Sequence, residues 1–385
     1  MRKFLLCFLF SFSIQVNAQP LTFWDEVEVK VNGNYLKNAF SGGLNQPQLS
    51  AIDLNHDSLL DIFVFDRAGN IILPFVNQGS AGAPDYHYAP QYKTFFPRLD
   101  AWAILADYDC DGKMDIFSSW PDSSGIMVYR NISTSGSIEF QLEDSLLKTT
   151  DGTTIFVNAT DIPAFADVDA DGDLDILTFD SQGSQVRFFE NSGGCGSLDF
   201  IVNTNCWGQF EEAGQDNGIF LNTACKRNNG SSNRHSGSSL LAFDIDGDNA
   251  QELLLGDLNH PNIVYLHNGG DSAFALMDQV NTSFPPGTSP VDIRQFPAAF
   301  YLDINQDTKK DLVFAPNAPN ISLNSNQVWY YQNTGSSANQ SFTLIQKDFL
   351  VGEMIDVGTV SNPVFFDYNG DGLLDLVVGN YLFRE

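Results

Sequence analysis

The stretch Asp167-Val-Asp-Ala-Asp-Gly-Asp-Leu-Asp175 has an acidic residue at every second position of a nine-residue segment. Short apolar segments flank it, Ala164–Ala166 before and Ile176–Phe179 after. The same pattern starts at positions 53, 107, 167, 244, 303 and 367, so neighbouring copies start 54 to 77 residues apart. Because self-similarity at a roughly fixed period indicates a repeat architecture, these six segments, named loops 1 to 6 in chain order, mark six structural units.

Each unit continues with two further apolar runs. The third run ends in Asn, as in Val186–Asn191, and a fourth run follows, as in Phe342–Ile345. All the runs are short and rich in β-branched and aromatic residues, which predicts strands and an all-β fold. Four strands in about sixty residues correspond to one propeller blade, and a radial arrangement buries both faces of each blade. A linear array of small sandwiches is the alternative, although sixty residues is short for an independent sandwich.

The loops carry the ligands that Ca²⁺ prefers, which are six to eight oxygens from carboxylates, amides and carbonyls. Positions 1, 3 and 5 supply side chains, position 7 a backbone carbonyl, and position 9 an acid that binds through both oxygens. An EF-hand needs an acid at position 12, where loop 4 has Leu255 and no loop has an acid. The acids could instead decorate turns, but so many carboxylates together without a cation would be costly. Mg²⁺ is less favoured, because it prefers few protein ligands.

The predicted calcium ligands are the residues at positions 1, 3, 5, 7 and 9 of every loop. They are Asp53, Asn55, Asp57, Leu59 and Asp61; Asp107, Asp109, Asp111, Lys113 and Asp115; Asp167, Asp169, Asp171, Asp173 and Asp175; Asp244, Asp246, Asp248, Ala250 and Glu252; Asp303, Asn305, Asp307, Lys309 and Asp311; and Asp367, Asn369, Asp371, Leu373 and Asp375. Loops 2, 3 and 6 have Gly at position 6, which suits the sharp turn there. Loop 5 has Thr308 at that position and Lys309 and Lys310 beside it, so of up to six sites this is the doubtful one.

The repeated pattern resembles the FG-GAP or VCBS repeats of integrin-α-like β-propellers. Pro363 and Gly379 fit the longer family signature around loop 6, but most blades lack its Phe-Gly pair. The segments Phe40–Ala51 and Cys206–Gly208 look like secreted VCBS-repeat proteins of Bacteroidetes-type bacteria. The resemblance implies a seven-bladed propeller over residues 19–385 with calcium loops on one rim. Six calcium-loop blades are then visible, and the last is expected to be truncated because the chain ends at Glu385; residues 24–31 are expected to add an outer strand.

Residues 1–18 predict a secretory signal peptide. Arg2 and Lys3 precede the apolar run Phe4–Ile14, and Ala18 closes a suitable cleavage site. A membrane anchor is the alternative, but eleven residues are too few to span a bilayer. We therefore expect a secreted or cell-surface protein with no transmembrane segment. The net charge of −29 makes nucleic acid a poor partner, because phosphate neutralisation needs clustered Lys and Arg.

Four cysteines remain after the leader, Cys110, Cys195, Cys206 and Cys225, and they allow three pairings. In an exported protein a Cys206–Cys225 disulfide is the favoured prediction, with buried free thiols as the alternative. The sequence has no zinc-type His or Cys spacing, nucleophile elbow, phosphate loop or dinucleotide fingerprint. We therefore expect no catalytic residues. The chain is interpreted as a monomeric, calcium-binding adhesion or binding module for an extracellular protein or glycan. A secreted, lyase-like polysaccharide-active enzyme is the alternative.

Overall fold

The computed structural model describes residues 28–121, 124–181, 183–213, 217–223, 238–318, 322–358 and 362–380. The predicted signal peptide, residues 1–18, lies outside this part of the chain. Within it, regular secondary structure consists of strands and three short 3₁₀ helices, Pro90–Phe95, Trp207–Gln209 and Val351–Glu353. Among the described residues, no helix is long and apolar enough to cross a membrane. The predicted all-β β-propeller is confirmed.

Twenty strands form five antiparallel, four-stranded sheets, which are the blades. A hairpin of β1 (Val29–Val31) and β2 (Asn34–Leu36) precedes them. Blade 1 has β3 (Pro47–Ile52), β4 (Asp61–Asp66), β5 (Ile71–Asn77) and β6 (Tyr86–Tyr88). Blade 2 has β7 (Ala103–Ala106), β8 (Asp115–Ser119), β9 (Ile126–Asn131) and β10 (Phe140–Asp144). Blade 3 has β11 (Ala164–Ala166), β12 (Asp175–Phe179), β13 (Val186–Asn191) and β14 (Phe200–Thr204).

The chain then forms a small insertion before it completes the remaining blades. The insertion is a hairpin of β15 (Phe210–Glu212) and β16 (Ile219–Leu221). Blade 4 has β17 (Ser238–Phe243), β18 (Glu252–Asp257), β19 (Ile263–Asn268) and β20 (Met277–Asn281). Blade 5 has β21 (Pro297–Leu302), β22 (Asp311–Pro316), β23 (Trp329–Asn333) and β24 (Phe342–Gln346). The last strands are β25 (Asn362–Phe366) and β26 (Asp375–Gly379), which pair only with each other in the described chain.

The hydrophobic core is divided into five clusters, and each cluster lies between two neighbouring blades. Four of them join blades 1 and 2, 2 and 3, 3 and 4, and 4 and 5. The fifth joins blade 5 to blade 1 and contains Leu49 and Val64 of blade 1 with Phe300 and Val313 of blade 5. The second strand of each blade is sandwiched between these clusters, which is why every residue of β4 is buried. Blades 1 to 5 therefore close a ring on themselves.

The expectation of a seven-bladed propeller with six visible calcium-loop blades is wrong, because the ring has five blades. The sixth repeat forms only the β25–β26 hairpin, whose apolar side chains include Phe365, 60% exposed, and Leu374, 71% exposed. This hairpin does not contribute to the five inter-blade clusters. Residues 29–31, which were expected to belong to a closing outer strand, instead pair with residues 34–36.

Candidate metal sites

All six loops have the same backbone geometry. Each joins the first two strands of its repeat, so loops 1 to 5 lie on one face of the ring. The position-1 Asp accepts the backbone N–H of position 6 at 2.8 to 3.1 Å. The position-5 Asp accepts the N–H of position 7 at 2.8 to 3.2 Å. Position 6 has positive φ in every loop, even at Thr308, where φ is +73°.

The position-9 acid connects the second strand of its blade with the loop and with the third strand. Asp175 is fully buried, and its two carboxylate oxygens accept the backbone N–H groups of Val168 at 2.9 Å and Asn191 at 2.8 Å. The equivalent acids of loops 1, 2, 4 and 5 accept the same pair of N–H groups. The nine-residue pattern predicts only a cation ligand at position 9 and gives no indication of this anchoring role. No residue type signals this role, because both donors are backbone N–H groups, one of them that of the Asn that ends each third run.

The acidic side chains of loops 2, 3 and 4 converge. In each of these loops three carboxylate oxygens lie within 4.8 Å of one another, and the residues are Asp107, Asp109 and Asp115; Asp167, Asp169 and Asp175; and Asp244, Asp246 and Asp248. In loops 1, 5 and 6 position 3 is Asn, and its amide donates to the position-5 carboxylate at 2.9 to 3.2 Å. A neutral amide thus stands where loops 2 to 4 have a carboxylate.

Loop 3 fits a cation best. One oxygen of Asp167 and both oxygens of Asp173 are buried without a hydrogen-bond partner, and Asp173 is only 6% exposed. Burial, aided by the neighbouring carboxylates, raises the pKa of Asp173 to about 6 and that of Asp175 to about 7. Buried carboxylates are ordinarily satisfied by hydrogen bonds or by a cation. A hard divalent cation held by oxygens, such as Ca²⁺, would satisfy Asp167, whose carboxylate clusters with those of Asp169 and Asp175.

Basic side chains compete with a cation in loops 2 and 5. Arg130 lies 2.5 Å from Asp109, and Lys113 lies 2.5 Å from Asp111, so two predicted ligands of loop 2 are already paired. In loop 5, Lys309 is paired with Asp307 at 3.3 Å. Loop 3 instead has Glu190 and Asp173 at the positions that Arg130 and Lys113 occupy in loop 2. The structure therefore separates loops 2 and 3, which sequence analysis ranked together.

Each of three loops also contacts the next blade. The turn between the third and fourth strands of that blade donates a backbone N–H to a loop carbonyl. The pairs are Gly196 to Tyr108 at 3.0 Å, Gln340 to Ile245 at 2.8 Å and Gly82 to Asn305 at 2.7 Å. The last pair joins blade 1 to loop 5 in the way that blades 3 and 5 join loops 2 and 4. Loops 2, 4 and 5 thus lie at inter-blade seams.

A disulfide reinforces the seam at loop 2. Cys110, at position 4 of loop 2, is bonded to Cys195 in the turn between β13 and β14, with a Cα–Cα distance of 5.8 Å. Sequence analysis left the pairing open and favoured Cys206–Cys225. Cys225 lies outside the described residues, so that pair stays a prediction. The Cys110–Cys195 bond joins blades 2 and 3 across 85 residues of chain.

We expect the double substitution C110S/C195S to lower the free energy of unfolding by about 2–4 kcal/mol, because it releases a long loop in the unfolded chain. Urea unfolding at saturating calcium measures the loss. Adding a reductant to the unsubstituted protein is not an equivalent test, since Cys206 is also disulfide-bonded. An unchanged unfolding midpoint would show that the seam between blades 2 and 3 does not depend on the bond.

The opposite face of the ring has a cavity of about 480 Å³. It lies where the connections between blades and the turns after the second strands meet, on the side away from loops 1 to 5. Its lining includes the indole of Trp120 and the polar side chains of Asn70, Asp100 and Asn158. The Asn70 side chain donates to Asp100 at 2.5 Å and accepts the N–H of Ala101 at 3.1 Å, so two of these polar groups are held in place.

Comparisons with known proteins agree with the repeat assignment. The sequence model of a family described as FG-GAP-like repeat matches residues 107–178 and 303–378. The two matched segments contain loops 2 and 3, and loops 5 and 6. No curated protein matches the chain.

Two solved structures show distant similarity. One describes specific recognition of non-reducing terminal N-acetylglucosamine by an Agrocybe aegerita lectin; it is 18% identical with a TM-score of 0.35, and the match covers 87% of this chain and 75% of that chain. The other is the exotype rhamnogalacturonan lyase YesX, 10% identical with a TM-score of 0.27, and the match covers 89% of this chain and 57% of that one. At these TM-scores neither similarity carries a functional argument.

Proposed function

Because this chain is an FG-GAP-repeat β-propeller protein, we propose that it is a secreted, calcium-stabilised binding module whose ligand is a glycan. The proposal rests on the different features of the two faces of the ring. One face has the acidic loops, whose buried carboxylates need a cation. The other has a cavity that combines an aromatic ring with fixed polar side chains.

Two observations support the calcium and secretion parts of the proposal. In loop 3 a buried oxygen of Asp167 has no hydrogen-bond partner, and a cation bound together with Asp169 and Asp175 would satisfy it. The Cys110–Cys195 disulfide is typical of proteins that fold in an oxidising compartment. Calcium here has a structural role, because the loops join the first two strands of the blades and lie on the face away from the cavity.

The composition of the cavity favours a carbohydrate. Sugar rings present apolar C–H faces that stack on an indole, while their hydroxyls both donate and accept hydrogen bonds. Trp120 offers the ring, and Asp100, Asn70, Asn158 and Ser119 offer donors and acceptors. A lyase would need a base beside a charge-neutralising Arg or Lys, and none of the described residues that line the cavity is Arg or Lys. The binding module is therefore favoured over the enzyme.

A glycan array probed with the calcium-loaded protein tests this function. We expect selective binding to a small set of glycans, and W120A to weaken that binding by about fivefold or more, because stacking on an aromatic ring contributes about 1 kcal/mol or more. F220A is the matched control, since Phe220 is an exposed aromatic residue on the β15–β16 insertion. If the folded, calcium-loaded protein binds no glycan, or if W120A binds as well as the parent protein, the glycan assignment is wrong.

A further inference from the structure

Loop 4 differs from the other loops of the ring at two positions that face each other. Its position-9 acid is Glu252, whereas loops 1, 2, 3 and 5 have Asp there. Leu253 pairs with Leu266 across β18 and β19, so Glu252 and His267 are the next cross-strand neighbours. The residues that correspond to His267 in blades 1, 2, 3 and 5 are Val76, Arg130, Glu190 and Gln332.

These two differences place a nitrogen among carboxylate oxygens. A ring nitrogen of His267 and carboxylate oxygens of Asp246 and Glu252 all lie within 4.8 Å of one another. Ca²⁺ takes oxygen ligands, whereas imidazole suits zinc and the other late first-row metals. Asp246 also belongs to the all-oxygen cluster of loop 4, with Asp244 and Asp248. Loop 4 thus has a set of possible metal ligands that combines one nitrogen with oxygens, next to a second set made of oxygens only.

The longer side chain of Glu252 makes a weaker hydrogen bond to the backbone of the third strand than the position-9 Asp makes in the other blades. In loops 1, 2, 3 and 5 the position-9 Asp accepts the N–H of the run-ending Asn at 2.7 to 2.8 Å. The corresponding distance from Asn268 N to Glu252 Oε1 is 3.5 Å, which is the limit of a hydrogen bond. Glu252 is nevertheless fully buried. Its Oε1 is therefore a buried carboxylate oxygen with spare capacity, next to a histidine.

A second carboxylate holds the histidine ring. His267 Nδ1 lies 2.7 Å from Asp278 Oδ1, and Asp278 follows Met277 at the irregularity where the pairing of β19 with β20 shifts register. In the tautomer whose Nδ1–H donates to Asp278, the lone pair of Nε2 is left for a cation. Histidines that bind metals usually donate their other ring N–H to a carboxylate in this way, which fixes the ring and raises its basicity.

We propose that loop 4 binds a divalent transition-metal cation of the zinc class, with His267, Asp246 and Glu252 as its protein ligands and Asp278 as the residue that positions His267. Three protein ligands and a water complete the four-coordinate shell that Zn²⁺ favours outside structural sites. The proposal rests on the proposed role of the loops as cation sites and assigns a different cation to one of them. The other loops remain calcium sites.

Zn²⁺ titration in the presence of saturating Ca²⁺ tests the proposal, with a chromophoric chelator as competitor. We expect one tight Zn²⁺ site in the full chain. H267N should weaken it on the order of 100-fold, and D278N by about tenfold, as is usual when the partner of a metal-binding histidine is removed. H87N is the matched control, because His87 also contacts a carboxylate, Asp85 at 3.0 Å, but belongs to no loop cluster. Co²⁺ in place of Zn²⁺ should give visible absorption that H267N abolishes.

Equal Zn²⁺ affinity in the parent protein and H267N, with both folded by circular dichroism, would overturn the proposal. So would loss of the site in H87N with retention in H267N. The melting temperature of the same samples with and without Ca²⁺ separates the two proposals. A calcium-dependent rise in melting temperature that persists in H267N supports loop 3 as a calcium site, whether or not zinc binds to loop 4. A His267-dependent zinc site without any such rise would contradict only the proposed calcium function.

Discussion

Removing calcium with EGTA is expected to lower the melting temperature on the order of 10 °C. Each site that is filled at a hundred times its dissociation constant stabilises the folded chain by about 2.7 kcal/mol. Carboxylates converge in loops 2 and 3 as well as in loop 4, which is proposed to bind a different cation. Two calcium sites therefore contribute about 5 kcal/mol, which for a chain of this size corresponds to a shift of that order. Differential scanning calorimetry in EGTA and in millimolar Ca²⁺ measures the shift.

Two controls make this measurement specific. Returning Ca²⁺ in excess over EGTA should restore the original melting temperature, which shows that chelation rather than irreversible damage caused the change. Mg²⁺ at the same concentration should restore little of it, because Mg²⁺ keeps its waters and fits all-protein sites poorly. A melting temperature that is equal in EGTA and in Ca²⁺ would contradict the central proposal for the loops.

Substitutions in loop 3 are expected to separate the structural role of an acid from its cation-binding role. D175A should destabilise the protein by about 3–5 kcal/mol even in EGTA, because it leaves the N–H groups of Val168 and Asn191 buried without acceptors. D171A should change little in EGTA, since Asp171 is exposed and its carboxylate accepts only the N–H of Asp173, at 3.2 Å. With Ca²⁺, D171A should lose part of the calcium stabilisation.

Urea unfolding of the two variants, each with and without Ca²⁺, measures all four stabilities under the same conditions. If D175A equals the parent protein in EGTA, the position-9 acid acts through the cation alone, as sequence analysis assumed. If D171A loses no stability in Ca²⁺, Asp171 is not a ligand. No basic side chain occupies position 7 of this loop, because the residue there is Asp173, where loop 5 has Lys309.

The spacing of acidic loops and apolar runs was enough to predict the blades. Loop positions 1, 5 and 6 behave as the pattern indicates, because their hydrogen bonds are local and depend on residues within five positions of one another. Thr308 was expected to resist the turn, but it adopts a positive φ of +73°, where Gly172 has +98°. The three bonds that position 1 and position 5 make with the loop backbone hold this conformation regardless of the residue at position 6.

The number of blades could not be predicted in the same way. Ring closure depends on how the cluster between blades 5 and 1 packs, and Leu49 and Phe300 are 251 residues apart in the sequence. Nothing in the local pattern of loop 6 distinguishes it from a blade that joins the ring. The Cys110–Cys195 pair was missed for a related reason, since those residues meet only when blade 3 packs on loop 2. His267 lies outside the nine-residue pattern and was likewise overlooked.

The closure of the ring brings distant parts of the chain side by side. Asn38 donates its backbone N–H to Glu353 at 3.0 Å, and Ile355 donates to Ala39 at 3.1 Å, so the segments that enter and leave the five blades form a short backbone ladder. Any of the five blades could therefore come first along the chain without a change in the order of the blades around the ring. A circularly permuted gene, with these two segments joined and new termini opened in the turn after Asp66, would encode the same five blades and the same seams.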